Sequence, residues 1–327
     1  MKKTSKLIAL LLAAALLLTA LFACKKSGKE TPSDDYVLRV GTLSGPTGMG
    51  MAKLIKETGE GGSLQGKYDI QLYSSPDEIR AALLSGSLDV AALPVNLAAV
   101  INVKTNGKYK VAAVNTLGVL YVLEAGDTIH SVADLEGKQL LATGQASTPE
   151  YILNYVLAQN GVNASVEYKT EHSELATLLI SGKATLGMLP EPMVTTALTK
   201  NPNLRIALDL TEEWKKTGNG EAVQGCISVS TDVIANHKAV LDNFLKDYKA
   251  SVDFVNGNIP EAAEIIASTG IVPAAAVAEK AIPNCNIVYI DGDEMIDILT
   301  KFYGVLYEAN PASIGGALPT GDLYYKP

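Results

Sequence analysis

The sequence predicts an α/β protein of two lobes, each a mostly parallel sheet with helices on both faces, and three observations carry that prediction. The first is a repeat. Residues 85–95, SGSLDVAALPV, return ninety-six residues later as residues 181–191, SGKATLGMLPE. In both copies a helical run ends at Ser-Gly, a short apolar run follows, and Leu-Pro closes it (Leu93-Pro94 and Leu189-Pro190). Upstream, residues 41–46, GTLSGP, are echoed by residues 144–149, GQASTP. Two anchors in the same order mark an internal duplication. The second observation is a strand–helix alternation that runs through both copies, the pattern of parallel sheets. The third is the apolar run 111–124, too long for one short strand and interrupted near its middle by Gly118. It reads as one strand leaving the first lobe and another entering the second.

Taken in order, residues 36–40 form a strand, and Pro46-Thr47-Gly48 opens a helix to about residue 57. Residues 68–73 alternate as a half-buried strand does. Ser75-Pro76-Asp77-Glu78 is a capping box with proline at the first helical position, starting a helix to residue 84. A buried strand over 90–93 and a helix over 95–103 complete the first copy. The second copy has strands at 139–142, 165–168, 186–189 and 204–208, with helices at 149–159, 173–180 and 192–199. Residues 222–229 are a second crossing strand, and the remainder is mainly helical: 239–256, 260–268, 274–281 and 293–308. The organisation expected is therefore a first lobe over 36–117, a second over 118–223, and a return to the first over 224–327. Two crossings make a hinge.

The first residues are a targeting segment. Lys2, Lys3 and Lys6 form a basic region, and the apolar run 7–18 is shorter than the ~20 residues a spanning helix needs. Residues 1–23 read as a signal peptide and 24–35 as a flexible tether without apolar residues. Removing the leader takes three lysines, and the net charge moves from −8 to −11. That balance excludes nucleic acid as a partner. Cys226 and Cys285 remain after Cys24. An exported chain could pair them, but no local spacing pattern sets such a pair, and two separate buried thiols are the preferred reading.

Leu21-Phe22-Ala23-Cys24 resembles a bacterial lipobox, whose cysteine becomes the lipidated first residue. Together with the twin Ser–Pro helix starts, the paired Ser-Gly…Leu-Pro segments and Leu318-Pro319…Tyr324-Tyr325, it resembles the substrate-binding lipoproteins of ABC importers, in the nitrate/sulfonate/taurine and thiamine-precursor group. The resemblance covers residue 36 to the end, plus the leader. It implies a type II periplasmic-binding-protein fold with a ligand cleft between two α/β lobes. It also implies an extracytoplasmic monomer tethered by lipid on Cys24, working with a permease and its ATPase. Thiamine-pyrimidine synthases share the fold, but their cysteine-rich motif with a catalytic histidine has no counterpart here. No enzyme activity, cofactor or metal is expected: the three histidines, His130, His172 and His237, are scattered, and no nucleophile motif occurs.

In open α/β sheets ligands lie beyond the carboxyl ends of strands, where helix N-termini point. Four segments fit, two per lobe: 44–48, 94–96, 145–149 and 190–192. Ser44 and Ser147 each stand just before a helix opening, where a hydroxyl beside open backbone N–H groups suits an anion or simply caps the helix. Gly45, Thr47, Gln145 and Thr148 support them. Pro94 matches Pro190 in the repeat, and Asn96 and Glu191 stand just after the two prolines. Asn96 can bind ligand or cap, and Glu191 suits a ligand amine or a helix dipole. Tyr121 and Tyr151 could stack on a flat ligand, as could Trp214; Gln224 lies in the second crossing strand. None of the four segments holds an arginine, so a doubly charged anion lacks its usual bidentate clamp. The expected ligand is a small organic sulfonate or taurine-like zwitterion, with a thiamine-type pyrimidine or other flat heterocycle as the alternative.

Overall fold

The structure is a computed structural model that describes residues 35–326. The leader, Cys24 and nearly all of the tether lie outside these residues. Two mixed sheets organise the rest. The first contains β1 (Leu38–Leu43), β2 (Tyr68–Tyr73), β3 (Val90–Pro94), β4 (Tyr109–Leu117), β10 (Val223–Ser230) and β11 (Ile287–Ile290), in the order β11-β4-β10-β3-β1-β2. The second contains β5 (Leu120–Ala125), β6 (Gln139–Thr143), β7 (Ser165–Lys169), β8 (Leu186–Pro190) and β9 (Leu204–Asp209), in the order β7-β6-β8-β5-β9.

The two orders are the same design written twice. In each sheet three parallel strands (β2-β1-β3 and β7-β6-β8) are followed by one antiparallel strand, β10 or β5, and then by β4 or β9. The reversed strand is in each case the one that has just crossed from the other lobe. That is the physical reason the sheets are mixed rather than purely parallel. β3 and β8 stand at the repeat's offset of ninety-six residues, which the Ser-Gly…Leu-Pro segments mark in the sequence.

Helices connect the strands: α1 (Pro46–Met49), α2 (Ala52–Thr58), α3 (Pro76–Ser85) and α4 (Val95–Lys104) in the first lobe, α5 (Thr148–Gln159), α6 (His172–Ile180), α7 (Met193–Lys200) and α8 (Leu210–Lys215) in the second. After β10 come α9 (Thr231–Asn236), α10 (Lys238–Gly257), α11 (Ile259–Ser268), α12 (Ala275–Ala281) and α13 (Gly292–Ala309). Three details depart from the sequence reading. The helix expected from Pro46 to about residue 57 breaks at Gly50 and Met51 into α1 and α2. In the capping box of α3, Ser75 accepts the Glu78 amide at 3.3 Å, but the Glu78 carboxylate closes onto Ser74 instead of Ser75. The short run 287–290 is a strand, because the free edge of β4 supplies a partner that no local pattern could announce.

The apolar run 111–124 divides at Gly118-Val119 between the two sheets. Both lobes grip this crossing: the Leu117 amide donates to the Asn286 carbonyl at 3.1 Å, and the Glu191 amide donates to the Val119 carbonyl at 3.0 Å. The Asn286 side chain donates to the Gly118 carbonyl. A side chain at Gly118 would have its Cβ 2.2 Å from Thr211 Oγ1, so only glycine lets the crossing pass α8.

Of three hydrophobic clusters among the described residues, one spans both lobes. Leu93 of the first sheet, Val122 of the second, Leu153 of α5 and Phe302 of α13 belong to one cluster. Trp214, a candidate for stacking on ligand, is instead fully buried there, 4.8 Å from the ring of Tyr155 and 5.3 Å from that of Phe302. Burying so large a ring outweighs any single polar contact in the fold. Cys226 and Cys285 are separate, free and buried, and burial raises both thiol pKa values. No helix among the described residues is long and apolar enough to cross a membrane.

Candidate ligand cleft

The carboxyl ends of β1 and β3 in one lobe, and of β6 and β8 in the other, open onto a single cavity of about 740 Å³. This is the placement expected of a ligand site in open α/β sheets. From the first lobe Ser44, Gly45, Thr47 and Pro94 line it; from the second come Ser147, Thr148 and Glu191; Gln224 reaches it from the second crossing strand.

Gly45 is fixed by its backbone. At φ 86° and ψ −157° it occupies a region open essentially to glycine alone, and this bend presents Ser44 and Thr47 to the cavity. Ser44 is exposed, and its hydroxyl makes no hydrogen bond among the described residues. Ser147 differs. Its hydroxyl donates to the Gly144 carbonyl at 2.8 Å, so toward a ligand it presents lone pairs rather than a proton. The symmetric pair of donors expected from the repeat is thus one free donor and one committed hydroxyl. Gln224 adds a second free donor, because its buried Nε2 has no partner. An unpartnered buried amide carries a cost that a ligand oxygen would remove.

Four expected contacts lie elsewhere. Asn96 is buried beside the cavity and bridges the lobes: its Oδ1 accepts from Thr148 Oγ1 at 3.0 Å and its Nδ2 donates to the Ser313 carbonyl at 3.4 Å. Tyr121 donates from its hydroxyl to the Asn284 carbonyl at 3.2 Å, and burial raises its pKa. Tyr151 is buried in the core with its hydroxyl toward the Asn310 side chain, and burial likewise raises its pKa. Gln145 stands exposed between Gly144 (φ 83°) and Ala146 (φ 58°), whose left-handed turns carry it out of the cavity wall. None of the four lines the cavity.

Glu191 does line it, yet its carboxylate is already engaged. Oε2 accepts from the Thr195 amide at 3.0 Å and Oε1 from the Thr195 hydroxyl at 2.9 Å, which caps α7. Burial raises its pKa, and the bonds from Thr195 and from the Asn284 side chain oppose that rise. Its two readings, helix cap and cleft acid, are therefore one arrangement.

Sequence reasoning missed a whole wall. Glu171, His172 and Ser173 at the start of α6, and Thr177, Thr196 and Lys200 further along α6 and α7, all face the cavity. The repeat carried a signal for His172, since its offset sets Pro76, another lining residue, onto it. The His172 Nδ1 lies 2.7 Å from Thr143 Oγ1. Desolvation lowers the pKa of the ring against the opposing charge of Glu171. Residues 271–274 and Val277 close the cleft from the first lobe; they sit outside the repeat and carry no polar signature.

The profile of a family described as ABC transporter, phosphonate, periplasmic substrate-binding protein matches residues 62–280. The chain belongs to this family. No curated protein matches it by sequence. Among solved structures, an ABC transporter protein from Parabacteroides distasonis is 23% identical, with a TM-score of 0.77 over 89% of this chain and 99% of that one. The aliphatic sulphonate binding protein SsuA from Escherichia coli is 16% identical, with a TM-score of 0.69 over 89% and 92%. The nitrate-binding protein NrtA from Synechocystis PCC 6803 is 13% identical, with a TM-score of 0.59 over 88% and 83%. At these identities the likeness establishes the two-lobed fold. As a periplasmic substrate-binding protein, the chain binds a small molecule and works with the permease and ATPase of an ABC importer, and it is not an enzyme.

Proposed function

We propose that this binding protein captures an organic sulfonate or a taurine-like zwitterion in the interlobe cleft and delivers it to its permease. The observation that carries the reading is the donor set. The free hydroxyl of Ser44 and the unpartnered amide of Gln224 are neutral, and no arginine lines the cavity. Neutral donors in a partly apolar cleft suit a single delocalised negative charge, whereas a dianion calls for paired cations. Lys200, the one lysine in the wall, favours a second reading in which the ligand is a phosphonate. The heterocycle reading has lost its support, since neither Tyr121 nor Tyr151 reaches the wall and His172 is its one aromatic-type ring. In the proposed setting, lipid on Cys24, which lies outside the described residues, holds the monomer at the outer face of the cytoplasmic membrane.

A thermal-shift panel of organic sulfonates, phosphonates, nitrate and a thiamine-type pyrimidine tests the ligand class. A true ligand at 100 times its dissociation constant adds about 2.7 kcal/mol to stability. Stabilisation by phosphonates or the pyrimidine, with none by sulfonates, overturns the proposal. Mass spectrometry of the mature N-terminus tests the anchor, and an unmodified Cys24 ends that part of it.

A further inference from the structure

The cavity is longer than a two-carbon zwitterion requires, and its shape is written in the helices that line it. On α6 the lining positions run from His172 and Ser173 through Ala176 and Thr177 to Ile180. On α7 they run through Met193 and Thr196 to Lys200. These are single faces with helical spacing, and at 1.5 Å per residue each extends the cavity by about 10–12 Å along the helix axis. The first lobe roofs the same groove with Ile271, Val272, Pro273 and Val277. The groove is therefore mainly apolar, with the hydroxyls of Ser173, Thr177 and Thr196 set among Ala176, Ile180, Met193 and the roof, and it is continuous with the polar end at Ser44 and Gln224. At its far end stands Lys200, exposed and without an ion-pair partner among the described residues.

The geometry points to an extended substrate: an organic anion whose head occupies the Ser44–Gln224 end, whose aliphatic body fills the α6–α7 groove, and whose distal anionic group meets Lys200. This rests on the oxoanion reading above and narrows it to chain-bearing anions with a second acidic terminus. The volume of about 740 Å³ agrees, since it falls in the range of pockets that hold drug-sized ligands and a two-carbon sulfonate would leave most of it to water.

The test is calorimetric titration of the mature protein with two homologous series, the n-alkanesulfonates and the n-alkylphosphonates from methane to decane. The ω-carboxylated member of each longer length is included. Affinity should rise about fourfold per methylene in the series whose head group binds, as a buried methylene contributes roughly 0.8 kcal/mol. The carboxyl-ended member should exceed the methyl-ended one about threefold, the scale of an exposed ion pair. Lys200→Gln should bring that ratio to about one, and Thr177→Trp should flatten the chain-length slope by blocking the groove. Tight binding of the short sulfonates with no dependence on length overturns the extended substrate while leaving the head-group reading intact. A length-dependent rise with no carboxyl preference overturns the distal anionic group. Binding confined to the phosphonate series, with the same slope, overturns the sulfonate head alone, and binding of neither series overturns both.

Discussion

The hydrogen bond from Thr148 Oγ1 to Asn96 Oδ1 joins the lobes beside the ligand cleft, at 3.0 Å and with both residues buried. Thr148→Val keeps the shape of the side chain and removes the donor. With the lobes together, Asn96 Oδ1 then loses its hydroxyl partner in a buried site, which costs about 1–3 kcal/mol. With the lobes apart the same oxygen meets solvent, so the cost falls on the closed arrangement alone. Hinge closure around the ligand is how periplasmic binding proteins hold their cargo. A penalty of about 2 kcal/mol on closure should therefore weaken ligand binding roughly thirtyfold. Thr148 also lines the cavity, so a lost direct ligand contact would look similar in that variant alone. The double-mutant cycle with Asn96→Ala separates the two. If the bond is a latch, titration calorimetry on the four proteins should give a coupling energy of about 1–2 kcal/mol. If Thr148 acts on the ligand directly, the two effects should add. Additive effects, or a Thr148→Val protein that binds within twofold of the parent, refute the latch.

The two cleft serines should part company. Ser44→Ala should weaken binding by about 0.5–1.5 kcal/mol at unchanged melting temperature, while Ser147→Ala, which loses its bond to Gly144, should lower the melting temperature as well. Gly118→Ala should cost about 1–3 kcal/mol by thermal melt, because its Cβ would press on Thr211 at the first crossing. Glu191 has its pKa raised by burial, so the folded protein holds its proton more tightly than the unfolded chain and loses stability as pH rises through that pKa. Glu191→Gln should accordingly melt above the parent at about pH 8, and the gap should close as pH falls toward about 4, below the unfolded carboxylate's own value. A gap that does not change with pH would remove the carboxyl from the explanation.

Most of the frame was legible because it is local. The Ser-Gly…Leu-Pro segments place β3 and β8, the capping serine Ser75 starts α3, Pro149 marks the start of α5, and Gly118 marks the passage between sheets. What sequence could not supply was pairing at a distance. Asn96 looked like a ligand donor or cap, but its partners are Thr148 and Ser313, far away along the chain and brought close by closure of the core. Tyr121 and Tyr151 were candidates for stacking because of residue type, and burial decided otherwise. The wall from His172 to Lys200 was hidden for a different reason: its side chains are ordinary for a helix surface, and their cleft role depends on the first lobe covering them.

The repeat explains both the success and the asymmetry of the site. Duplication sets equivalent backbones on opposite sides of one cleft, so strand ends and helix starts converge without any further instruction. A ligand is not symmetric, however, and the two walls have diverged in what they offer. On the first lobe the α1 start presents a free hydroxyl at Ser44 on a four-residue helix, too short for a developed dipole. On the second, the twelve-residue α5 begins with Ser147 turned back to Gly144 and Thr148 turned across to Asn96. On the proposed reading the first wall offers hydrogen bonds to cargo, whereas the hydroxyls of Ser147 and Thr148 are spent within the protein, on Gly144 and Asn96. On that reading recognition falls to one half of the duplicated unit and closure to the other, which is why the serine pair and the Thr148–Asn96 cycle together form the sharpest test of how the cleft works.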